Sequence, residues 1–163
     1  MEFSTADLCD GFASEIEVVQ PLFREYGGAS KFAGPIETVE VFEDNTLVRE
    51  ILETRGEGRV LVVDGGGSLR CALVGGRLGL LAHASGWSGI VVNGCVRDSE
   101  ELRRLHIGIR ALNLSPRPGG KNGSGARARP VSFAGVTFSP GRFLYADNDG
   151  MVVSGKELLS RRS

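Results

Sequence analysis

Residues 91–104 read Val91-Val92-Asn93-Gly94-Cys95-Val96-Arg97-Asp98-Ser99-Glu100-Glu101-Leu102-Arg103-Arg104, and their reading decides the fold. An apolar strand over 89–92 runs into Asn93-Gly94, read as a tight turn. An Arg97-Asp98 pair then stands at the mouth of a short helix over 98–105, where Glu100 and Glu101 precede Arg103 and Arg104. A cation beside a carboxylate at the end of a buried strand is how α/β proteins commonly build a site. The pair points to Asp98 as a ligand for a divalent metal ion and to Arg97 as the group facing a substrate's negative charge.

Upstream, Arg59-Val60-Leu61-Val62-Val63 is a continuous apolar run, as a central strand buried on both faces requires. It ends in Asp64-Gly65-Gly66-Gly67-Ser68. Gly75-Gly76-Arg77 then leads a helix with Leu78, Leu81, Ala82 and Ser85 on one face. Two strand–turn–helix units in series form a βαβ signature, which directs a binding site to the strands' C-terminal ends. Nearer the N-terminus, Ser4 reads as a helix cap with Asp7 three residues on, and Leu8, Cys9 and Phe12 as that helix's buried side. Residues 31–42 read as a long strand, and 46–54 as a helix capped by Asn45.

Downstream, 109–114 makes another strand. Residues 116–130 hold four glycines, three prolines, Arg117, Lys121, Arg127 and Arg129, and no acid. This segment reads as a flexible basic loop, either a solvated stretch or a lid or binding arm. Short strands follow over 131–133, 136–138, 143–146 and 151–154, with Asp147-Asn148-Asp149-Gly150 as a hairpin turn. Residues 158–163 read as a frayed tail.

The chain has 163 residues, 41% of them hydrophobic, which suits a single domain able to bury its own core. A net charge of −1 leaves no overall field for nucleic acid or anionic membrane, so neither is an expected partner. Cys9, Cys71 and Cys95 are odd in number and widely spaced, as reduced thiols of a cytoplasmic protein are. The first residues carry neither a basic nor an apolar signal region, and no apolar run approaches the ~18 residues of a membrane span.

Each candidate site also has a plainer structural reading. Asp98 is equally the N-cap of the 98–105 helix, with Glu101 completing a D-x-x-E capping box; a carboxylate there still presents an oxygen to Mg²⁺. Gly75-Gly76-Arg77-Leu78 is either an anion-binding helix N-terminus or an ordinary loop–helix junction. Asp64–Ser68 has neither G-x-G-x-x-G spacing nor a G-K-[ST] ending, so it reads as close backbone packing and not as a nucleotide loop. His83 and His106 have no metal-ligand spacing and read as structural.

The stretches V-L-V-V-D-G-G-G-S-L-R (60–70), G-W-x-G-I-V-V-N-G-C-V-R-D (86–98) and F-x-G-V-T-F-x-P-G-x-x-x-Y-A-D-N-D-G (133–150) resemble the RraA-like family. That family includes the regulator of ribonuclease activity A and the 4-hydroxy-4-methyl-2-oxoglutarate aldolases. T-A-D-L-C-D (5–10) and F-E-D-N (42–45) extend the resemblance over essentially the whole chain, a single RraA-like domain. It implies an α/β sandwich of the swivelling β/β/α type, with a central β-sheet flanked by helices. It also implies a cytoplasmic homotrimer, or a dimer of trimers, with sites near subunit interfaces.

The family's aldolase branch implies a class II lyase using a divalent cation, Mg²⁺ or Mn²⁺. That lyase cleaves 4-hydroxy-4-methyl-2-oxoglutarate to two pyruvates and decarboxylates oxaloacetate, both through a metal-stabilised pyruvate enolate. Carried over by position, Asp98 is the metal-binding aspartate and Arg97 the substrate-binding arginine. Gly75, Gly76, Arg77 and Leu78 form the segment whose backbone holds the pyruvyl carboxylate, and a metal-bound water is the expected proton carrier. Two departures stand out. Gly76 replaces an acid common in the aldolase branch, and the longer aldolases' C-terminal extension, which lends a neighbour a carboxylate, has no counterpart. The rival expectation is a non-catalytic regulator that binds and inhibits an endoribonuclease of the E type. The intact Arg97-Asp98 pair favours catalysis, and the sequence shows no motif for an S-adenosylmethionine-dependent methyltransferase.

Overall fold

The computed structural model describes residues 2–159. The chain opens with α1 (Thr5–Gly11), β1 (Ile16–Val18), β2 (Arg24–Glu25) and β3 (Phe32–Glu40). It continues through α2 (Thr46–Leu52), β4 (Val60–Asp64), β5 (Ala72–Val74), α3 (Gly76–Ala84), β6 (Gly89–Val96), α4 (Ser99–Arg103) and β7 (Gly108–Leu114). It closes with β8 (Ala126–Arg127), the hairpin of β9 (Val131–Phe133) and β10 (Val136–Phe138), and the hairpin of β11 (Phe143–Asp147) and β12 (Gly150–Ser154).

The main sheet runs β1-β12-β11-β3-β4-β6-β7-β2, with β5 added to β6 and β8 to β3. Its centre, β3-β4-β6-β7, is parallel, and α2, α3 and α4 supply crossovers. Alternation along the central strands separates two cores. Leu61, Val63, Ile90 and Val92 face the helices, where they meet Val48, Leu52, Leu78, Ala82 and Leu102. Val60, Val62 and Val91 face the other way, onto Val131, Val136, Phe138 and Leu144. Helices, main sheet and an outer β layer therefore stack as the expected α/β sandwich, a single domain with a central sheet flanked by helices. Among the described residues no helix is long and apolar enough to cross a membrane.

Three expectations need correction. Asn93-Gly94 is not a turn, because β6 runs unbroken from Gly89 to Val96. β4 stops pairing at Asp64↔Asn93, and β5 takes over the same edge at Ala72↔Cys95 and Val74↔Val96. The Asn93 carbonyl at the change-over accepts the N–H groups of Gly65 and Gly67. Asn45 occupies the N-cap position of α2 without a capping side-chain bond; Asp44 Oδ1 instead accepts the Thr46 N–H at 3.0 Å. The tail is not frayed at its start. Leu158 is fully buried with Phe3, Leu8 and Tyr145, and its N–H donates to the Tyr145 hydroxyl at 2.8 Å. Residues 160–163 lie outside the described residues.

Candidate active site

The site forms where β5 and β6 end side by side. The Arg97 N–H donates to the Val74 carbonyl at 3.0 Å, which ties the two strand ends together. The chain then turns at Asp98, whose φ of 63° and ψ of 48° are left-handed. Aspartate is among the few non-glycine residues that adopt this conformation readily. The turn aims the Asp98 carboxylate away from α4 and towards α3: Oδ2 accepts the Gly76 N–H at 2.8 Å, and no side-chain cap of α4 forms. The D-x-x-E capping box is therefore corrected. Asp98 caps the neighbouring helix rather than its own.

The two glycines make room for this arrangement. A Cβ at Gly75 would stand 2.8 Å from Asp98 Oδ2 and 3.2 Å from Arg97 Cγ. A Cβ at Gly76 would stand 1.9 Å from Glu101 Oε2 and 3.4 Å from Asp98 Oδ2. The Glu101 carboxylate thus fills the space where a side chain at 76 would begin, and both carboxylates lie within 3.4 Å of that one point.

Gly75, Gly76, Arg77, Leu78, Arg97 and Asp98 all line one cleft of about 450 Å³. Its other walls are Asn45 and Arg49 of α2, Ala72, and Pro118 and Lys121 from the basic segment. Four cationic side chains, Arg49, Arg77, Arg97 and Lys121, face this space. Arg97 Nη1 donates to the Pro116 carbonyl at 3.2 Å, which holds the guanidinium across the strand end. The first N–H groups of a helix have no intrahelical partner. In α3 the Gly76 N–H is spent on Asp98 and the Gly79 N–H on the Gly75 carbonyl. That leaves the N–H groups of Arg77 and Leu78 for a ligand's anion. His83 and His106 are exposed and do not line the cleft. Gly65 packs its Cα face against Leu73 and the Asn93 carbonyl, as a close-packing reading of 64–68 requires.

A family profile described as "RraA-like: Aldolase/RraA" matches residues 5–153. The chain belongs to the RraA-like family. Relatives from Dechloromonas aromatica and Burkholderia multivorans are 54% and 56% identical over 162 and 163 residues. Each alignment covers 97% of this chain and 99% of the relative, and both relatives' names assign them, provisionally, as 4-hydroxy-4-methyl-2-oxoglutarate aldolases. Among solved structures, the RNA-processing inhibitor RraA of Thermus thermophilus is 47% identical with a TM-score of 0.95, covering 100% of this chain and 99% of that one. A structure described as an S-adenosylmethionine:2-dimethylmenaquinone methyltransferase from Geobacillus kaustophilus is 49% identical with a TM-score of 0.96, covering 99% and 100%.

The sequence reading of this RraA-like chain leaves Glu101, Arg49 and Lys121 out of the site. Glu101 has a visible signal, its place three residues after Asp98 in R-D-x-x-E. Arg49 lies one helical turn beyond Asn45, but nothing local says which way that turn faces. Lys121 has only its charge.

The donor set discriminates between metals. Among the described residues no three His, Cys, Asp or Glu side chains cluster as a closed metal site, which argues against a zinc-like cage. Asp98 lines the cleft, and the exposed Glu101 meets it at Gly76 without lining the cleft itself; one or two carboxylates suit a hard ion such as Mg²⁺, which keeps several waters.

Proposed function

We propose that the chain is a divalent-metal-dependent carbon–carbon lyase. It cleaves 4-hydroxy-4-methyl-2-oxoglutarate into two pyruvates and decarboxylates oxaloacetate to pyruvate and CO₂. The observation that carries this reading is the convergence of the Asp98 and Glu101 carboxylates on Gly76, beside the Arg97 guanidinium. Asp98 and Glu101 would hold the ion, Mg²⁺ or Mn²⁺. When bound, that ion supplies Lewis-acid stabilisation of the negative charge that develops on the 2-oxo oxygen during bond cleavage.

The chain's own groups bind and orient. Arg97, fixed by Pro116, presents its remaining N–H donors to the pyruvyl carboxylate, a pairing suited to the planar guanidinium. The Arg77 and Leu78 N–H groups add donors at the positive end of α3. Gly75 and Gly76 add no side chain of their own to this approach, which leaves room for Arg97, Asp98 and Glu101. A preorganised donor array of this kind stabilises charge without rearrangement during the reaction.

The relatives' names carry two other roles. S-adenosylmethionine bears a sulfonium cation, and four cationic side chains around the cleft oppose it. RNA-processing inhibition, the role in the Thermus relative's name, involves no turnover by the inhibitor itself. Asp98→Asn separates it from catalysis, because Asn also tolerates a φ of 63° and keeps an oxygen for the Gly76 N–H.

The test is pyruvate release from both substrates with Mg²⁺ or Mn²⁺, then with EDTA, for wild type and Asp98→Asn. Metal-dependent turnover that the variant loses, with its fold intact, is the expected result. Absent or metal-independent turnover from folded wild type would move the function to the regulatory role.

A further inference from the structure

Arg110 on β7 pairs with Val91, whose side chain faces the outer β layer, and it is only 4% exposed. Its Nη2 donates to the Asp147 carbonyl at 2.8 Å, the Ser30 carbonyl at 3.0 Å and Glu25 Oε1 at 3.1 Å. The guanidinium carbon lies 5.6 Å from the centre of the Phe32 ring. Every hydrogen bond of the side chain falls on that one nitrogen. Nε and Nη1 have no partner among the described residues, and both carry N–H donors. Among the described residues no fully buried side-chain nitrogen or oxygen lacks a partner, so Nε and Nη1 reach open space.

That space is a cavity of about 260 Å³ between β2, the residues just before it and the 147–150 turn. It shares no residue with the cleft at Asp98. Beside Arg110 its wall is apolar, built by Val19, Phe23 and Met151 of the outer core. The exposed Arg24 and Asp149, of opposite charge, stand at its rim.

Taking a guanidinium out of water is costly, and Glu25, its ion-pair partner, is itself 39% exposed and screened by solvent. Burial accordingly pushes the pKa of Arg110 down, against the pull of Glu25 and Asp147. The group stays cationic all the same. An anion on its open edge would offset the desolvation that Glu25 leaves uncompensated. Two neighbouring N–H donors in one plane suit a carboxylate, which accepts both at once.

We propose that this cavity is a second ligand site, which takes a short aliphatic carboxylate. Nε and Nη1 of Arg110 hold the carboxylate, and Val19, Phe23 and Met151 pack on the hydrocarbon end. The cavity is smaller than those that take drug-sized molecules and suits a chain of about four or five carbons. A second charge at the far end of the ligand would lie against apolar side chains, so the site favours monocarboxylates.

The test titrates the full-length protein with butanoate, with its neutral analogue butanamide and with succinate, which carries a second carboxylate. NMR follows the side-chain Nε–H signals of Arg110 and Arg97. Arg110 stays in place for this readout, because removing it would strand three acceptors in the interior. Butanoate is expected to move the Arg110 signal to saturation. It should bind about tenfold or more tightly than butanamide, as a charge-assisted pair requires. Succinate should bind about tenfold more weakly than butanoate, through the cost of its second charge. Butanoate that leaves the Arg110 signal unmoved, or moves only that of Arg97, overturns the site. Butanamide binding as tightly as butanoate overturns the ionic contact, and succinate doing so overturns the apolar end.

Discussion

The Asp98 carboxylate accepts the Gly76 N–H at 2.8 Å, so the residue that ends one βα unit caps the helix of the unit before it. The bond satisfies an orphan donor of α3 and fixes one carboxylate oxygen of a residue that lines the cleft. Substitution separates the two roles. Asp98→Ala removes the cap and is expected to lower stability by about 1 kcal/mol. Asp98→Asn keeps an acceptor and stays near wild type. Both variants lose metal-dependent turnover. Thermal unfolding of the pair checks this, and equal stability of the two would show that the cap contributes nothing.

Gly76 and Glu101 compete for one volume. Since the atom met by a Cβ at 76 is the end of a flexible side chain, Gly76→Ala should fold normally and push the Glu101 carboxylate aside. We expect about tenfold weaker Mn²⁺ binding in Gly76→Ala and in Glu101→Ala. The double variant should bind little worse than either single one, because both remove the same ligand. Titration calorimetry with Mn²⁺ measures the cycle. Additive losses would mean that Glu101 does not serve the ion.

The parallel core was legible because its strands are long enough to show burial: Val60–Val63 reads as central, and 89–92 as the strand beneath the site. The helix at Gly76 and the Arg97-Asp98 pair were legible for the same local reasons. β5 was not, since three residues between a glycine-rich loop and Gly75 carry no period. Its absence from the reading is also what turned Asn93-Gly94 into a turn, for only β5 explains why β6 continues. The partners of Asp98, Glu101 and Lys121 were hidden for a different reason. Each side chain acts across the fold, on Gly76 or on Asn45, and local pattern reports only neighbours.

Asp147 fixes the N-terminus of α1 from the far end of the chain. Its carboxylate accepts the Thr5 N–H at 2.7 Å and the Thr5 hydroxyl at 2.6 Å. Burial pushes the carboxyl's pKa up, but these bonds and those from the Asp149 and Gly150 N–H groups outweigh it and hold the pKa below the ordinary range. The folded protein therefore takes up this proton less readily than the unfolded chain. The stabilisation is complete above the ordinary aspartate value of about 3.9 and is lost as pH falls through the lower folded value. Asp147→Asn should cost about 1–3 kcal/mol at pH 7 and flatten the acid limb of stability against pH. Denaturant melts between pH 7 and pH 2 measure both effects, and an unchanged acid limb would refute the role.

Leu158 closes the cluster of Phe3, Leu8 and Tyr145. Leu158→Ala should cost about 3 kcal/mol through lost burial and the cavity left behind. For a domain of this size that lowers the unfolding midpoint by roughly 10 °C. Calorimetry that finds a shift of about 1 °C or less would mean that the segment packs without contributing.

Asp44 is the anchor of the basic segment. It is 2% exposed, and its carboxylate accepts the N–H groups of Thr46 and Asn122, while Thr46 Oγ1 accepts the Gly123 N–H at 3.2 Å. Burial pushes its pKa up, but the hydrogen bonds from Thr46, Asn122 and Gly123 prevail and the net direction is down. Asp44→Ala unties Asn122 and with it the neighbouring Lys121, on a stretch where Lys121 and Arg127 are tryptic sites, Arg117 and Arg129 being blocked by the prolines that follow them. Cleavage within 116–130 should quicken, and the Asn122 amide should lose protection from hydrogen exchange. An unchanged digestion pattern would show that the segment is held by its other bonds, to Glu43, Asn45 and Glu50.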